Sequence, residues 1–145
     1  MCMYDDSGGW RVFREATRRA AKDHKCGECG RIIAKGEEHR YATGLTYDWD
    51  SWESYRQCLH CVAASQWLLV ACSGYMFNAI EEDLAEHVVG EESYLRSAPL
   101  TRLVRWMRAD WRDRAGNLRP VEAVREVTAA AVAAYRAQYA TAVNA

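Results

Sequence analysis

The chain has 145 residues, a formal net charge of −1, a 50% hydrophobic fraction and 27% charged residues. That is the composition of an ordinary soluble globule, and its longest apolar run, Trp67 to Cys72, is far too short to cross a bilayer. So even a charge balance argues against a protein whose main work is wrapping duplex DNA.

Residues 1–9 read as a flexible start. From Trp10, the spacing of Val12, Phe13, Ala16 and Ala20 predicts a short amphipathic helix carrying Arg11, Arg14, Arg18, Arg19 and Lys22 on a solvated basic face. Cys26-Gly27-Glu28-Cys29 follows, and Gly30 lets the chain reverse there without a Cβ penalty. Arg31 to Ile33 is expected to be a strand closing in the turn Ala34-Lys35-Gly36-Glu37, with Glu38 to Leu45 as its return strand. Tyr47 to Trp52 marks a loop or irregular hairpin, and Ser54-Tyr55-Arg56 runs into a second pair, Cys58-Leu59-His60-Cys61.

Helical spacing resumes at Leu59 and continues through Val62, Gln66, Leu69 and Val70 until Ser73-Gly74 breaks it. A second helix carries Met76, Phe77, Ile80, Leu84 and Val88 on its apolar side and ends at Gly90. Ser97 and Pro99 cap and open a third, with Leu100, Leu103, Val104, Met107 and Trp111 as its buried stripe. That stripe could pair with a second copy, but internal packing is the simpler expectation. Gly116-Asn117 stops the helix, and Pro120 starts an alanine-rich last one with Val124, Thr128, Ala131, Tyr135 and Tyr139 along one side. Charge is sorted along the chain: residues 81–92 hold six acids and no Lys or Arg, whereas residues 96–119 hold seven arginines against two aspartates. The two segments can pack on one another, or one of them can face a partner.

Two C-x-x-C pairs with 28 residues between them are the strongest chemical signal. Each lets two thiolates reach one ion from a single tight turn, and two turns complete the tetrahedral sulfur set of a structural zinc. One zinc held by Cys26, Cys29, Cys58 and Cys61 is therefore expected, taking the loaded form to a charge of about −3. Cys72 reads as a core residue, and Cys2 as a free thiol. His24 could replace a cysteine ligand but is not needed; His60 reads as a surface residue of the second knuckle, and His87 as a cation at a helix C-terminus.

A knuckle, then a hairpin, then a pair on the first turn of a helix resembles the treble-clef zinc finger. The stretch from His24 to about His87 also resembles small zinc-finger proteins encoded by bacteriophages and prophages. The residues that prompt this are Cys26 to Ile33, the Gly36-Glu37 turn, Tyr47-Asp48-Trp49-Asp50 before Cys58, and Cys72 to Phe77 followed by Glu82 to His87. The resemblance implies a mobile-element origin and a zinc module, without an assigned activity. The expected fold class is α+β, a small treble-clef-like zinc-bound β-hairpin module packed with an N-terminal helix and a C-terminal set of three to four helices. Its parts are residues 1–25, 26–90 and 91–145 within one compact domain.

The leading functional expectation is a non-catalytic, zinc-stabilised binding protein, phage-derived and acting on a protein partner, for instance by inhibiting a host defence or transcription complex in the cytoplasm. Candidate contact residues are Trp49, Trp52 and Tyr55 in the inter-knuckle segment and Arg102, Arg105, Arg108 and Arg112 on the third helix. Nucleic-acid binding, through Arg11, Arg14, Arg18, Arg19 and Lys22 or through Arg102, Arg105, Arg108 and Arg112, is the alternative. Treble clefs also serve HNH nucleases, which need a histidine base on the hairpin and further His or Asn ligands on the helix. His39 offers the first, but the motif around it and the helix after Cys61 do not complete the set.

Overall fold

The computed structural model describes residues 10–46, 51–91 and 93–144, with the backbone alone at Trp10. The elements run β1 (Trp10–Arg19), β2 (His24–Lys25), β3 (Ile32–Ile33), β4 (Glu38–Thr46), β5 (Trp52–Cys58), α1 (Leu59–Ala71), α2 (Ile80–Val89), α3 (Ala98–Arg108) and α4 (Val121–Asn144). The protein is thus α+β, an N-terminal antiparallel sheet followed by four helices.

Residues 10–19 are a strand and not the expected N-terminal helix. The helical spacing of Val12, Phe13 and Ala16 does not produce a buried face, and all three are exposed. Extended, the segment pairs along nearly all of β4, from Trp10 opposite Thr46 to Arg19 opposite Glu38. Residues 11–19 are exposed throughout, so the ladder and not burial holds the strand. Its arginines charge an edge that would otherwise invite further pairing.

β4 is the centre of the sheet β1-β4-β5. Its expected hairpin partner, the strand at Arg31–Ile33, instead pairs with β2 to form a separate two-stranded ribbon, His24 opposite Ile33 and Lys25 opposite Ile32. The ribbon brackets the first cysteine pair: Cys26 N–H donates to Arg31 O at 2.8 Å and Gly30 N–H to Cys26 O at 3.0 Å. Gly30 sits at φ +79°, the left-handed turn its lack of a Cβ allows. β4 then finds β5, with His39 opposite Cys58 and Leu45 opposite Trp52. The expected loop at residues 47–50 and the start at residues 1–9 lie outside the described residues.

α1 begins where β5 ends, as the spacing predicts, but it buries a different face. His60, Cys61, Ala64, Trp67 and Leu68 point inward, whereas Leu69 and Val70 from the expected stripe are 43% and 36% exposed. Cys61 must face the other sulfurs, and that requirement sets the rotation of the helix. α2 starts at Ile80, so Met76 and Phe77 belong to the preceding loop. α3 begins as expected, the Ser97 hydroxyl accepting Leu100 N–H with proline in the first turn. Leu100, Leu103, Val104, Met107 and Trp111 are all buried within the chain, which answers the pairing question in favour of internal packing. α4 packs on α1 and α3 through Val124, Val127, Thr128 and Ala131, and Tyr139 beyond them is exposed. Buried residues from Ala20 to Ala131 form one continuous cluster that includes three of the cysteines. No helix among the described residues is long and apolar enough to cross a membrane.

Candidate metal centre

Cys26 and Cys29 come from the turn between β2 and β3, Cys58 from the last residue of β5 and Cys61 from the first turn of α1. Their four Sγ atoms lie within 4.8 Å of one another. Cys26–Cys61 and Cys29–Cys58 are 3.9 Å apart and Cys58–Cys61 3.5 Å. A tetrahedral zinc with bonds of about 2.3 Å has ligand–ligand edges of about 3.8 Å, close to the three short sulfur–sulfur distances, so small side-chain adjustments bring the set onto such an ion. Three of the four cysteines are buried and Cys29 is half-buried, which leaves all four coordination positions to protein sulfur. Without a cation the thiols cannot all ionise. Cys26 is held low by hydrogen bonds from Cys29, Cys58 and Cys61, while Cys58 is driven up by the Cys26 and Cys29 sulfurs and Cys61 by burial. A divalent ion removes that conflict by replacing the protons.

The shell around the sulfurs is ordered by residues the cysteine pattern does not reveal. Cys58 N–H donates to Cys26 Sγ at 3.3 Å, and the Trp111 indole N–H donates to Cys61 Sγ at 3.4 Å. Asp110 and Trp111 both lie at positive φ, 55° and 61°, and this turn at the end of α3 brings the indole back onto the site. Arg31, its side chain 3% exposed, makes a two-pronged pair with Glu37 at 2.6 and 3.1 Å. Burial opposes its charge, but Glu37 and the Cys58 sulfur outweigh that and hold the guanidinium above its ordinary pKa.

His60 is buried beneath this pair, correcting the expectation of a surface residue. Its Nε2 lies 2.6 Å from Arg119 O and its Nδ1 3.5 Å from an Arg31 Nη2. A carbonyl can only accept, so Nε2 carries the proton and Nδ1 faces the guanidinium as acceptor. Glu28, inside the first pair, reaches the other way. Its carboxylate accepts Asn78 N–H at 2.8 Å, Ile80 N–H at 3.1 Å and Gln57 Nε2 at 2.9 Å, so the knuckle caps the N-terminus of α2. A glutamate between two ligands is the one hint of this in the sequence.

The remaining expected residues are dispersed. Trp52 stands at the start of β5, 59% exposed. Tyr55 stacks on Phe77 with ring centroids 4.3 Å apart, and Trp49 lies outside the described residues. The arginines expected on the third helix do not act as a set, and Arg112 lies past the end of α3. Arg102 and Arg105 line a hollow of about 390 Å³ with Arg96, Arg108 pairs with Glu81 of α2 at 2.6 Å, and Arg112 donates to Gly116 O at 3.0 Å. The Arg108–Glu81 pair shows the acidic and basic segments packed against each other. His39 is 1% exposed, its ring 5.8 Å from that of His24. His87 is 2% exposed and meets Trp67 edge-on at 4.8 Å, which makes it a core residue in place of the expected cation at a helix end. Cys72 packs against the core with its Sγ 3.4 Å from His87 Nε2, and Cys2 lies outside the described residues.

No family model, curated protein or solved structure matches the chain.

Proposed function

We propose that this protein is a non-catalytic, zinc-stabilised binding module that recognises another macromolecule through the open face of its three-stranded sheet. The observation that carries the reading is the closed sulfur set. Four buried or half-buried thiolates leave a zinc no position for water or substrate, which suits a structural role. The ion fastens the β4–β5 hairpin and α1 to the first knuckle, in the knuckle–hairpin–helix order of a treble clef, and so fixes the sheet that carries Trp52. The burial of His39 supports the non-catalytic reading too, since a nuclease base there would need access to water. A protein is the partner class that overall charge and aromatic content favour, and the phage-like texture of residues 24–87 suggests a host protein held in an inhibited state. Nucleic acid is favoured by a different observation, the arginines on the same sheet face as Trp52.

The test is affinity capture with the zinc-loaded protein from lysate, untreated and nuclease-treated, against Trp52→Ala and Cys58→Ser baits. The expected result is a bound macromolecule lost with Trp52→Ala, whose fold and zinc content are unchanged, and lost with Cys58→Ser. Capture indifferent to Trp52, or nothing above background at micromolar bait, overturns the reading.

A further inference from the structure

The sheet sorts its charges by face. Strand alternation and the antiparallel register place Arg14, Arg18, Arg56, Tyr41 and Trp52 on one face, whose cross-strand rows contain no Asp or Glu. The acids of the same strands, Glu15, Glu38 and Glu53, all fall on the other face. That other face is covered in part by Phe77, which stacks on Tyr55 and lies 6.2 Å from Phe13. The arginine face is covered at its His39–Cys58 end and open over the rest: Arg14 and Arg18 are exposed, Arg56 is half-buried and Trp52 is 59% exposed. Nor are its guanidiniums placed at random. Arg18 sits over the Tyr41 ring at 3.5 Å and Arg56 at 5.1 Å, contacts that narrow their freedom. Arg18 is exposed, whereas Arg56 is half-buried with its Nε turned inward, so only its outer N–H groups can meet an anion.

We infer that this arginine-and-aromatic face binds single-stranded nucleic acid, with phosphates on Arg14, Arg18 and Arg56 and a base stacked on Trp52. The inference rests on the binding-module reading and names its partner. Cations along a groove or face with an aromatic ring beside them are what a strand with unpaired bases needs, because each base has a flat face to stack and each phosphate a charge. A duplex hides those base faces, and a flat sheet does not enter its grooves. An acidic peptide would satisfy the arginines and leave the Trp52 ring without a matching surface. From Trp52 to Cys58 the strand is about 20 Å long, enough for two or three bases on the scale at which sheet platforms read RNA. The overall charge of −1 is no obstacle, since the acids lie elsewhere.

Fluorescence anisotropy of the zinc-loaded full chain tests this, using labelled oligothymidylate and oligouridylate 15-mers and a duplex of equal length. Three phosphate contacts on a single strand predict a log–log salt slope of about −2, close to a twentyfold loss of affinity from 50 to 200 mM salt. Arg14→Ala should shallow the slope by about 0.7, and Trp52→Ala should weaken binding about tenfold with the slope unchanged. Arg136→Ala on α4 removes the same charge away from the sheet and should change neither. All three positions are solvent-exposed or remote from the core, and zinc content with circular dichroism verifies each fold. Absence of single-strand binding at 50 mM salt, preference for duplex, or binding indifferent to Arg14 and Trp52 overturns the inference. If oligonucleotides fail while Trp52→Ala still abolishes capture from nuclease-treated lysate, the module reading stands with an acidic protein as partner.

Discussion

Trp111 shows how much of a metal site can depend on one side chain far from the ligands in sequence. Its indole closes the cluster from the α3 side and gives its N–H to Cys61 Sγ at 3.4 Å. Replacing it with Phe keeps a ring in the pocket and removes the donor. Trp111→Phe should therefore lower zinc affinity about tenfold, as measured by competition with a chromophoric chelator, with only a modest change in folding. Trp111→Ala should cost about 3–5 kcal/mol in chemical denaturation, because a fully buried aromatic leaves a cavity. Glu37 is a second such residue. Glu37→Gln breaks a paired charge and strands Arg31, whose side chain is 3% exposed, so a loss of about 3 kcal/mol at pH 7 is expected. The pH dependence follows from the direction of its shift. Burial pushes the Glu37 carboxyl up, but Arg31 and Ala34 N–H outweigh it and hold the pKa below the ordinary 4.5. Such a group stabilises the fold fully above 4.5 and loses that contribution as pH falls through its folded value. The gap between wild type and Glu37→Gln should then be constant from about pH 8 to 6 and narrow only below about 4.5.

At the scale of elements, the second helix depends on the first knuckle. α2 has Ala79 at its N-cap and no side-chain cap of its own. Glu28, 50 residues earlier, fills that role by taking Asn78 N–H and Ile80 N–H. Glu28→Ala should cost about 2 kcal/mol, the loss of a cap whose bonds are made to a charge. The exposed Arg108–Glu81 pair between α3 and α2 is the contrast, and Arg108→Ala should cost less than about 1 kcal/mol in the same denaturation series. These elements also separate what the residues reveal from what they hide. The cysteine spacing, the Ser97 cap and the apolar stripe of α3 are local signals, complete within a few residues, and the structure follows them. β1 is different, because its helical spacing is overruled by pairing with β4, some 20 to 35 residues later in the chain. The buried face of α1 was hidden for a similar reason, since the metal cluster and α4 together set its rotation. His60 reads as a surface residue until Arg119, 59 residues on, supplies the carbonyl that buries it.

For the whole molecule, the question is whether the proposed zinc would merely decorate a helical core or be needed for it. Cysteine cluster and core are not separate bodies. Cys26, Cys58 and Cys61 belong to the same buried cluster as Trp67, Leu84, Leu103 and Val124, so sulfur and hydrocarbon share one interior. α1 stands at the junction: Cys61 points to the other three sulfurs while Trp67 and Leu68 on the same face are buried in that cluster. Structural zinc in small domains contributes an apparent 10–16 kcal/mol at neutral pH, about as much as the entire stability of a domain this size. Stripping the ion also leaves thiols that must reprotonate inside a closed site, where Cys61 can do so only as a buried neutral group. Chelation should thus unfold the sheet and the helices together. Tryptophan fluorescence and the far-ultraviolet helical signal should fall with one midpoint in chelator, and both should return when zinc is restored under reducing conditions. A helical signal that outlives the loss of metal would instead show α2, α3 and α4 holding together on their own apolar contacts, with the zinc confined to ordering the sheet.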